Sequence, residues 1–256
     1  MIDQLWLIPL GFVAGVLGSM IGLGGGIIVV PVLTFLGFSP TAAASNSLFA
    51  ALSNAIASTI SYSKQRRIEY SLGLKLGLLS IPGTILGAVI SSDVAPDIFK
   101  VLFGLVLIAS AAYIFLRRNL ESNQKTISKQ MMVFAIGASF FAGIISSFFG
   151  IGGGIVFVPL MVAGMGMAMK RAAPTSQLIL LFASLSGVIT HSLLGHPDFT
   201  QAGFLAIGSF VGGLVGARLS IDIKERYLQI LVSVVILIAA AKLFYDSATG
   251  SGIVGF

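Results

Sequence analysis

The chain has 256 residues, of which 56% are hydrophobic and only 9% charged, and its mean hydropathy is +1.03. Soluble domains carry about 25% charged residues, so this composition excludes an ordinary soluble domain. The net charge of +6 comes from short basic clusters between apolar runs, which orient a membrane protein and do not indicate nucleic-acid binding. The apolar runs are continuous and near twenty residues long, which predicts membrane-spanning helices and not a β-barrel.

The first apolar stretch, Leu5–Leu36, is too long for one crossing, since a straight helix of this length would measure about 50 Å. We expect it to break inside the membrane at Gly22-Leu-Gly-Gly-Gly26. Glycine costs a helix about 1 kcal/mol per residue and tolerates positive φ. Pro31 follows and leaves the Ile27 carbonyl without a helical partner, which predicts a kink, a hinge or a cation ligand.

Three apolar runs of one crossing each follow, at about 42–62, 72–91 and 98–116. Near the start of the first run stand three consecutive polar residues, Ser45-Asn46-Ser47. The segment 117–130 is polar and basic, and we interpret it as a cytoplasmic linker between a first half, 1–116, and a second half, 131–256.

The second half repeats the first. Phe140–Pro159 is identical to Phe12–Pro31 at eleven of twenty positions, and it contains the second glycine cluster, Gly150-Ile-Gly-Gly-Gly154. It lies in another stretch that is too long for one crossing, Met131–Ala163, and Pro159 matches Pro31. The sequence therefore predicts the same break and the same possible hinge in each half.

The match extends beyond the glycines. Thr175-Ser176-Gln177 aligns with the first polar triplet at a shift of 130, at the start of a run over 172–194. Two more runs follow at about 202–220 and 227–245. The Gly83-x-x-x-Gly87 and Gly212-x-x-x-Gly216 pairs also correspond, and this spacing is typical of closely packed membrane helices.

Charge in the loops predicts that the halves are inverted. The loop after the first run is basic in the first half and neutral in the second, and the next loop shows the reverse. We therefore expect an all-α polytopic membrane protein of two inverted repeats. Each repeat would consist of a broken, re-entrant helical hairpin and three transmembrane helices.

At the two segments Gly22-Leu-Gly-Gly-Gly-Ile-Ile-Val-Val-Pro31 and Gly150-Ile-Gly-Gly-Gly-Ile-Val-Phe-Val-Pro159 the chain resembles the sulfite exporter TauE/SafE family of membrane permeases. The length and the duplicated layout agree with that resemblance, which covers essentially the whole chain. It implies movement of sulfite or organosulfur anions across the cytoplasmic membrane. It does not identify the anion that one member carries.

A broken helix offers an anion unpaired N–H groups and a positive dipole end. We expect the second arms to start at Gly24–Gly26 and Gly152–Gly154, and to bind the anion between them. Alternatively, the glycines only permit tight packing. The polar triplets could add ligands from Ser45, Asn46, Ser47, Thr175, Ser176 and Gln177, or could act as helix caps and interhelical hydrogen bonds.

Other polar residues give weaker signals. Arg218 could attract anions to a vestibule or extend to the interface beside Asp222, and His191 could couple a proton or bond structurally. We treat His196 as solvated. Without a G-x-x-x-x-G-K-[ST] loop or an acidic residue at mid-membrane, nothing indicates ATP hydrolysis or a carboxylate proton relay in this chain.

These features predict a secondary transporter, and not an enzyme, with a small anion as substrate and the lipid bilayer as environment. Export is favoured, with alternating access around a mid-membrane site where the repeats meet. No cofactor or metal is expected, and a proton or sodium ion could serve as coupling ion. The alternatives are uptake of another small organic anion, or a receptor or structural bundle without transport. The sequence leaves the oligomeric state open.

Overall fold

The computed structural model of the chain describes residues 4–117 and 129–224, together with Tyr227, Ile230, Val234, Leu237 and Ala241. Every regular element in this part of the chain is helical. Most of the predicted linker and of the last apolar run fall outside the described residues. The predicted domain division and the third helix of the second repeat therefore stay predictions.

The described part of the first half contains five α-helices and a short 3-10 turn. They are α1 (Leu7–Ile21), α2 (Gly26–Phe35), α3 (Pro40–Lys64), α4 (Tyr70–Ile90), the turn Ser91–Asp93 and α5 (Pro96–Arg117). The described part of the second half contains four more α-helices and a π-helical turn. They are α6 (Lys129–Phe149), α7 (Gly154–Pro159), the turn Leu160–Gly164, α8 (Met169–Leu193) and α9 (Phe199–Leu219).

Both predicted helix breaks are confirmed. Helix α1 ends at Gly22 with a φ of 76°, and α6 gives way to Gly150 with a φ of 71°. Gly24 and Gly152 repeat the left-handed conformation, with φ of 72° and 74°. Residues with a Cβ rarely adopt these angles, so the glycines end one helix and allow the next to start in another direction.

The helices suit a membrane. Four described helices are long and apolar enough to cross one, namely Tyr70–Ile90, Gln130–Phe149, Met169–Leu193 and Phe199–Leu219. Large apolar side chains lie exposed on the outside, among them Leu193 at 83% and Phe141 at 64%. None of the buried residues in the described part of the chain is Asp, Glu, Lys or Arg. Apolar groups therefore face outward and the small polar groups lie inside, as lipid requires.

The two halves are interlocked through their glycines. Gly83 and Gly87 of α4 lie against the backbone of Phe140 and Ile144 in α6, so closely that a Cβ would collide with it. Gly212 and Gly216 of α9 meet the α1 backbone in the same way. Each half thus packs one helix directly onto the broken helix of the other half, and the predicted role of these glycine pairs in close packing is confirmed.

Helices α3 and α8 cross the middle of the molecule in opposite directions. The Arg67 guanidinium, just beyond the end of α3, donates its Nε proton to the Lys170 carbonyl in the first turn of α8, at 3.0 Å. At the opposite end, the Asp198 amide beyond α8 donates to the Asn46 side chain of α3, at 3.0 Å. Because 25 residues of helix span about 37 Å, these two ends of the pair lie far apart.

Candidate functional site

The two helix breaks meet each other in the interior. A Cβ on Gly26, the first residue of α2, would collide with the Gly150 carbonyl and the Ile151 backbone of the second break. A Cβ on Gly154, the first residue of α7, would collide with the Gly22 carbonyl of the first break. All of these residues are buried. The structure therefore brings together the two glycine clusters that were predicted as one site, namely Gly24, Gly25, Gly26, Gly152, Gly153 and Gly154.

Two side chains from the central helices contact both breaks. The positions that a Cβ would take on Gly24 and Gly152 lie 2.7 Å and 3.2 Å from Leu180 Cδ2. The same two positions lie 3.8 Å and 3.3 Å from the Ala51 Cβ. Leu180 belongs to α8 and Ala51 to α3, and 129 residues separate them. The leucine side chain therefore fills the narrow space beside both breaks in this conformation.

Each break is followed by the start of a helix. Gly25 is the N-cap of α2 and Gly153 is the N-cap of α7, and neither has a side chain that can cap. The first amides of a helix have no acceptor within it, and together they give the helix N-terminus a partial positive charge. Two such N-termini side by side, without a buried carboxylate among the described residues, form an interior region that favours an anion.

Three of the six predicted polar residues lie at the breaks. Ser176 Oγ donates to the Gly22 carbonyl at 2.7 Å, and Gln177 Nε2 donates to the Gly18 carbonyl at 2.9 Å. Ser47 Oγ lies 3.0 Å from the position that a Cβ would take on Gly26. It is buried without a hydrogen-bond partner, as is Gln177 Oε1. A buried hydroxyl without a partner is costly, so Ser47 is suited to bind a ligand that comes between the breaks.

The other three residues of the triplets are engaged elsewhere. Ser45 donates to the Ala42 carbonyl at 3.1 Å and Thr175 donates to the Arg171 carbonyl at 2.8 Å, so both hydroxyls bond within their own helices. Asn46 donates to Gln201 and accepts from the Asp198 amide, each at 3.0 Å. These bonds correspond to the capping and interhelical interpretation of the triplets, because they hold the residues at helix ends.

The two prolines have different surroundings. Pro31 lies inside α2, which continues to Phe35. Pro159 is the last α-helical residue of α7, and a π-helical turn follows it, with the Met165 amide donating to the Leu160 carbonyl at 3.1 Å. Interrupted helical hydrogen bonding next to a proline is the expected consequence of its missing N–H. Both remain hinge predictions.

Arg218 lies in the last turn of α9, and its side chain is exposed. The neighbouring Ala217 carbonyl accepts a hydrogen bond from Gln65 Nε2, so this turn lies at the end of the molecule that carries Arg67 and Lys170. The arginine therefore belongs to a basic end surface and not to the buried site. Any attraction of anions would occur at that surface.

The two histidines form a pair that our interpretation of the sequence missed. His191 Nδ1 lies 2.8 Å from His196 Nδ1, and His191 Nε2 lies 3.2 Å from the Ser147 carbonyl. His191 is fully buried, and His196 is half-buried in the loop before α9. Burial lowers the pKa of the His196 imidazole below its usual value. The five-residue spacing across a helix end was the only sequence signal for this contact.

Ser184, Leu180 and Ala51 were also missed. Ser184 Oγ lies 3.2 Å from the position that a Cβ would take on Gly152, and it is buried without a partner. Helical spacing could have indicated it, because Gln177, Leu180, Ser184 and His191 share one face of α8. Among the described residues, no group of three His, Asp or Glu side chains could hold a metal ion.

The comparisons with known proteins identify the family of the chain. Residues 7–243 match the family described as "Sulfite exporter TauE/SafE". A match over nearly the whole chain defines its class, a membrane transporter and not an enzyme. The chain belongs to the sulfite exporter TauE/SafE family, as its glycine segments predicted.

Its relatives carry corresponding names. The chain is 30% identical to the "Probable membrane transporter protein YunE" of Bacillus subtilis, over 94% of this chain and 97% of that one. It is 28% identical to the "Probable membrane transporter protein MJ0441" of Methanocaldococcus jannaschii, over 89% and 90%. It is 25% identical to the "Probable membrane transporter protein YfcA" of Escherichia coli, over 96% and 93%. No solved structure matches the chain.

Proposed function

We propose that this protein is a secondary transporter that exports small sulfur-containing anions, such as sulfite or organosulfonates, across the cytoplasmic membrane. The observation that carries the proposal is the meeting of two helix N-termini, at Gly26 and Gly154, in a buried region without a carboxylate among the described residues. Amide groups and hydroxyls compensate an anion without a fixed charge, so binding can be reversible. The family name supports sulfite as the first substrate to test.

The transport cycle in this proposal is alternating access between two inverted repeats. Three observations support inversion: α3 and α8 run in opposite directions, α4 packs on α6, and α9 packs on α1. The positive-inside rule places the end with Arg67, Lys170 and Arg171 in the cytoplasm. In the conformation seen here Leu180 lies against both breaks, so the breaks must separate before an anion fits between them.

Two serines provide a direct test of the site. Ser47 and Ser184 are buried beside opposite breaks, and neither hydroxyl has a partner. Replacing either with alanine removes no hydrogen bond from the closed protein, so folding should be preserved. If the hydroxyls bind the anion, each variant should transport more slowly. Losing one hydrogen bond to a charged ligand costs about 1.5–3 kcal/mol, or roughly ten- to hundredfold in affinity.

The measurement is the flux of radiolabelled sulfite in proteoliposomes, with empty liposomes as background. Ser45→Ala is the matched control, because Ser45 lies on the same helix but bonds to the Ala42 carbonyl. The proposed substrate and the proposed site are both supported if the wild type transports sulfite, Ser47→Ala and Ser184→Ala lose this flux, and Ser45→Ala keeps it. Wild-type flux equal to that of empty liposomes would overturn sulfite as substrate. A thermal-shift screen with sulfonates, sulfate and carboxylates then tests the other anions.

A further inference from the structure

Corresponding contacts are made at the two ends of the α3–α8 pair. Near the end of α3, the buried Tyr62 hydroxyl donates to the Ser19 carbonyl at 2.8 Å. Near the end of α8, the buried His191 ring places its Nε2 atom 3.2 Å from the Ser147 carbonyl. Tyr62 and His191 are 129 residues apart, and Ser19 and Ser147 are 128 apart. Each contact joins a central helix to the helix that precedes a break.

The residues five positions after Tyr62 and His191 are Arg67 and His196. They also occupy corresponding places, but their side chains differ in chemistry. The Arg67 guanidinium carbon lies 5.3 Å from the centroid of the Tyr62 ring, and Arg67 also donates to Ser220 Oγ at 3.0 Å. At the corresponding place the His196 ring centroid lies 5.0 Å from that of His191. One end therefore holds a permanent positive charge beside its buried ring, and the other holds a group that can gain or lose a proton.

The hydrogen bonds determine which ring nitrogens carry protons. The Ser147 carbonyl can only accept, so His191 Nε2 must be protonated. In a neutral His191 the Nδ1 atom is then an acceptor, and His196 Nδ1, at 2.8 Å, must donate to it. His196 Nε2 in turn has a free lone pair, and the Ser92 hydroxyl, at 3.3 Å, donates to that atom.

This chain of bonds has room for one additional proton. If His196 Nε2 is protonated, the Ser92 hydroxyl rotates and accepts, and no other bond is lost. The proton between the two Nδ1 atoms can also move to His191, so the rings share one charge. A second proton would place two N–H groups face to face across 2.8 Å, which excludes it.

Buried hydroxyls lead from this pair toward the second break. On α8, Gly187 precedes His191 by one turn, and Ser147 Oγ lies 3.2 Å from the position of a Cβ on Gly187. Ser184 lies one turn further, beside Gly152. Neither hydroxyl has a partner, whereas the matched Ser19 hydroxyl in the first half donates to the Val16 carbonyl at 3.0 Å. The buried hydroxyls that can still form hydrogen bonds are therefore in the second half, which also contains the histidine pair.

We propose that His191 and His196 form a site that binds a single proton, and that this proton is the coupling ion of the transporter. The half-buried His196 exchanges the proton with solution at its end of the molecule. A proton on His196 gives this end the positive charge that Arg67 holds at the other. The groups that contact the pair are the Ser147 carbonyl of α6 and the Ser92 hydroxyl. The acidic residue nearest to His196 in the sequence is Asp198, the N-cap of α9. The Asp198 carboxylate accepts from the Thr200 and Gln201 amides. Asp93 follows Ser92 in the sequence.

The proton site can be tested by NMR without any substrate. The chain contains two histidines, so histidine-specific ¹⁵N labelling of the purified protein gives signals from these two rings alone. We expect a neutral pair with one proton on His191 Nε2 and one on His196 Nδ1, a scalar coupling between the Nδ1 atoms, and uptake of one proton on acidification. Two independent titrations, or protons on Nε2 of both rings, would overturn the site. Tyr62→Phe is the matched control, because it removes the contact at the other end and leaves both histidines in place.

The coupling role rests on the proposed function and has its own readout. In proteoliposomes, a proton gradient should change sulfite flux in the wild type, and His191→Gln and His196→Gln should lose that dependence. Glutamine at 191 can still donate to the Ser147 carbonyl but does not titrate. Wild-type sulfite flux that ignores the proton gradient would overturn coupling even if the NMR result holds. Absence of any sulfite flux contradicts the proposed substrate and leaves the proton site to be judged by NMR.

Discussion

The two broken hairpins have similar sequences and different structures. In the first hairpin Gly25 has a φ of −69°, and α2 continues through Pro31 to Phe35. In the second, Gly153 has a φ of 86°, and α7 gives way to a π-helical turn after Pro159. The Gly22 carbonyl of the first break receives a bond from Ser176, whereas the matched Ser47 hydroxyl of α3 has no partner.

Buried hydroxyls without partners lie at both breaks, and most of them belong to or lie beside the second hairpin. Ser47, Ser146, Ser147 and Ser184 are all buried without partners. They lie beside the Cβ positions of Gly26, Gly153, Gly187 and Gly152, respectively. Because eleven of twenty residues are identical, the difference comes mainly from the helices around each hairpin. In the second hairpin the Ser146 and Ser147 hydroxyls of α6 make no bond, whereas Ser19 of the first hairpin donates to the Val16 carbonyl, so we expect the second hairpin to open first.

The largest effect should come from the glycines that end the first arm of each hairpin. In Gly22→Ala and Gly150→Ala the positive φ costs about 1–3 kcal/mol, and the collision with the Ala173 or Ala44 backbone costs about 1–3 kcal/mol more. Gly37→Ala is the control, because Gly37 also has a positive φ but open space around it. Thermal unfolding in detergent measures the loss. A Gly150 variant as stable as the Gly37 variant would show that the second break is not closely packed.

A smaller difference should separate the two matched serines. Ser176→Ala leaves the buried Gly22 carbonyl without a bond and should cost about 1–3 kcal/mol of unfolding free energy. Ser47→Ala removes a hydroxyl that has no partner, so its effect should stay within about 0.5 kcal/mol. Denaturant unfolding of both variants in detergent gives the values. Equal losses would mean that the two breaks are bonded alike.

Hydrogen exchange should show the difference between the hairpins in the unmodified protein. If the second hairpin opens at a cost about 1.4 kcal/mol lower, its amides should exchange about tenfold faster than those of the first. The comparison uses peptides that cover 22–30 and 150–158, which match in sequence. Faster exchange in the first hairpin would reverse our assignment of the opening element.

The smallest effect concerns pH and the loop before α9. The pKa of His196 is lowered in the folded protein, so the unfolded chain binds this proton more readily. Stability should therefore fall as the pH drops below the ordinary histidine pKa of about 6.5, and the loss ends below the lowered folded pKa. In His196→Gln the dependence of the thermal midpoint on pH should be weaker. Identical slopes for variant and wild type would exclude a contribution from this ring.

Much of the fold followed from local features of the sequence. Both helix breaks occur at the predicted glycine clusters, and helices α3, α4, α5, α8 and α9 correspond to the five predicted runs that the structure describes, with ends that differ by one to three residues. The predicted register of the polar triplets was less accurate. The contacts pair Ala44 with Gly150 and Ala173 with Gly22, a shift of 129 residues instead of 130. Ser47 therefore matches Ser176, and Gln177 corresponds to Leu48.

A shift of one residue matters on a helix, because successive side chains point about 100° apart. That rotation explains why Ser47 lies beside Gly26 while its neighbour Asn46 bonds to the Asp198 amide at the start of α9. The three residues of a triplet looked equivalent in the sequence. Only the direction of each side chain distinguishes the residues that contact the breaks from the residues that form hydrogen bonds at helix ends.

The sequence by itself determined the class of the protein and the places where its helices break. Apolar run length and the conformational freedom of glycine act over a few residues, so no distant contact is needed to predict them. The tertiary structure alone decided that the two breaks contact each other beside Leu180 and that His191 contacts His196. Those contacts depend on how whole helices are rotated and packed, and packing is settled by all neighbouring surfaces together.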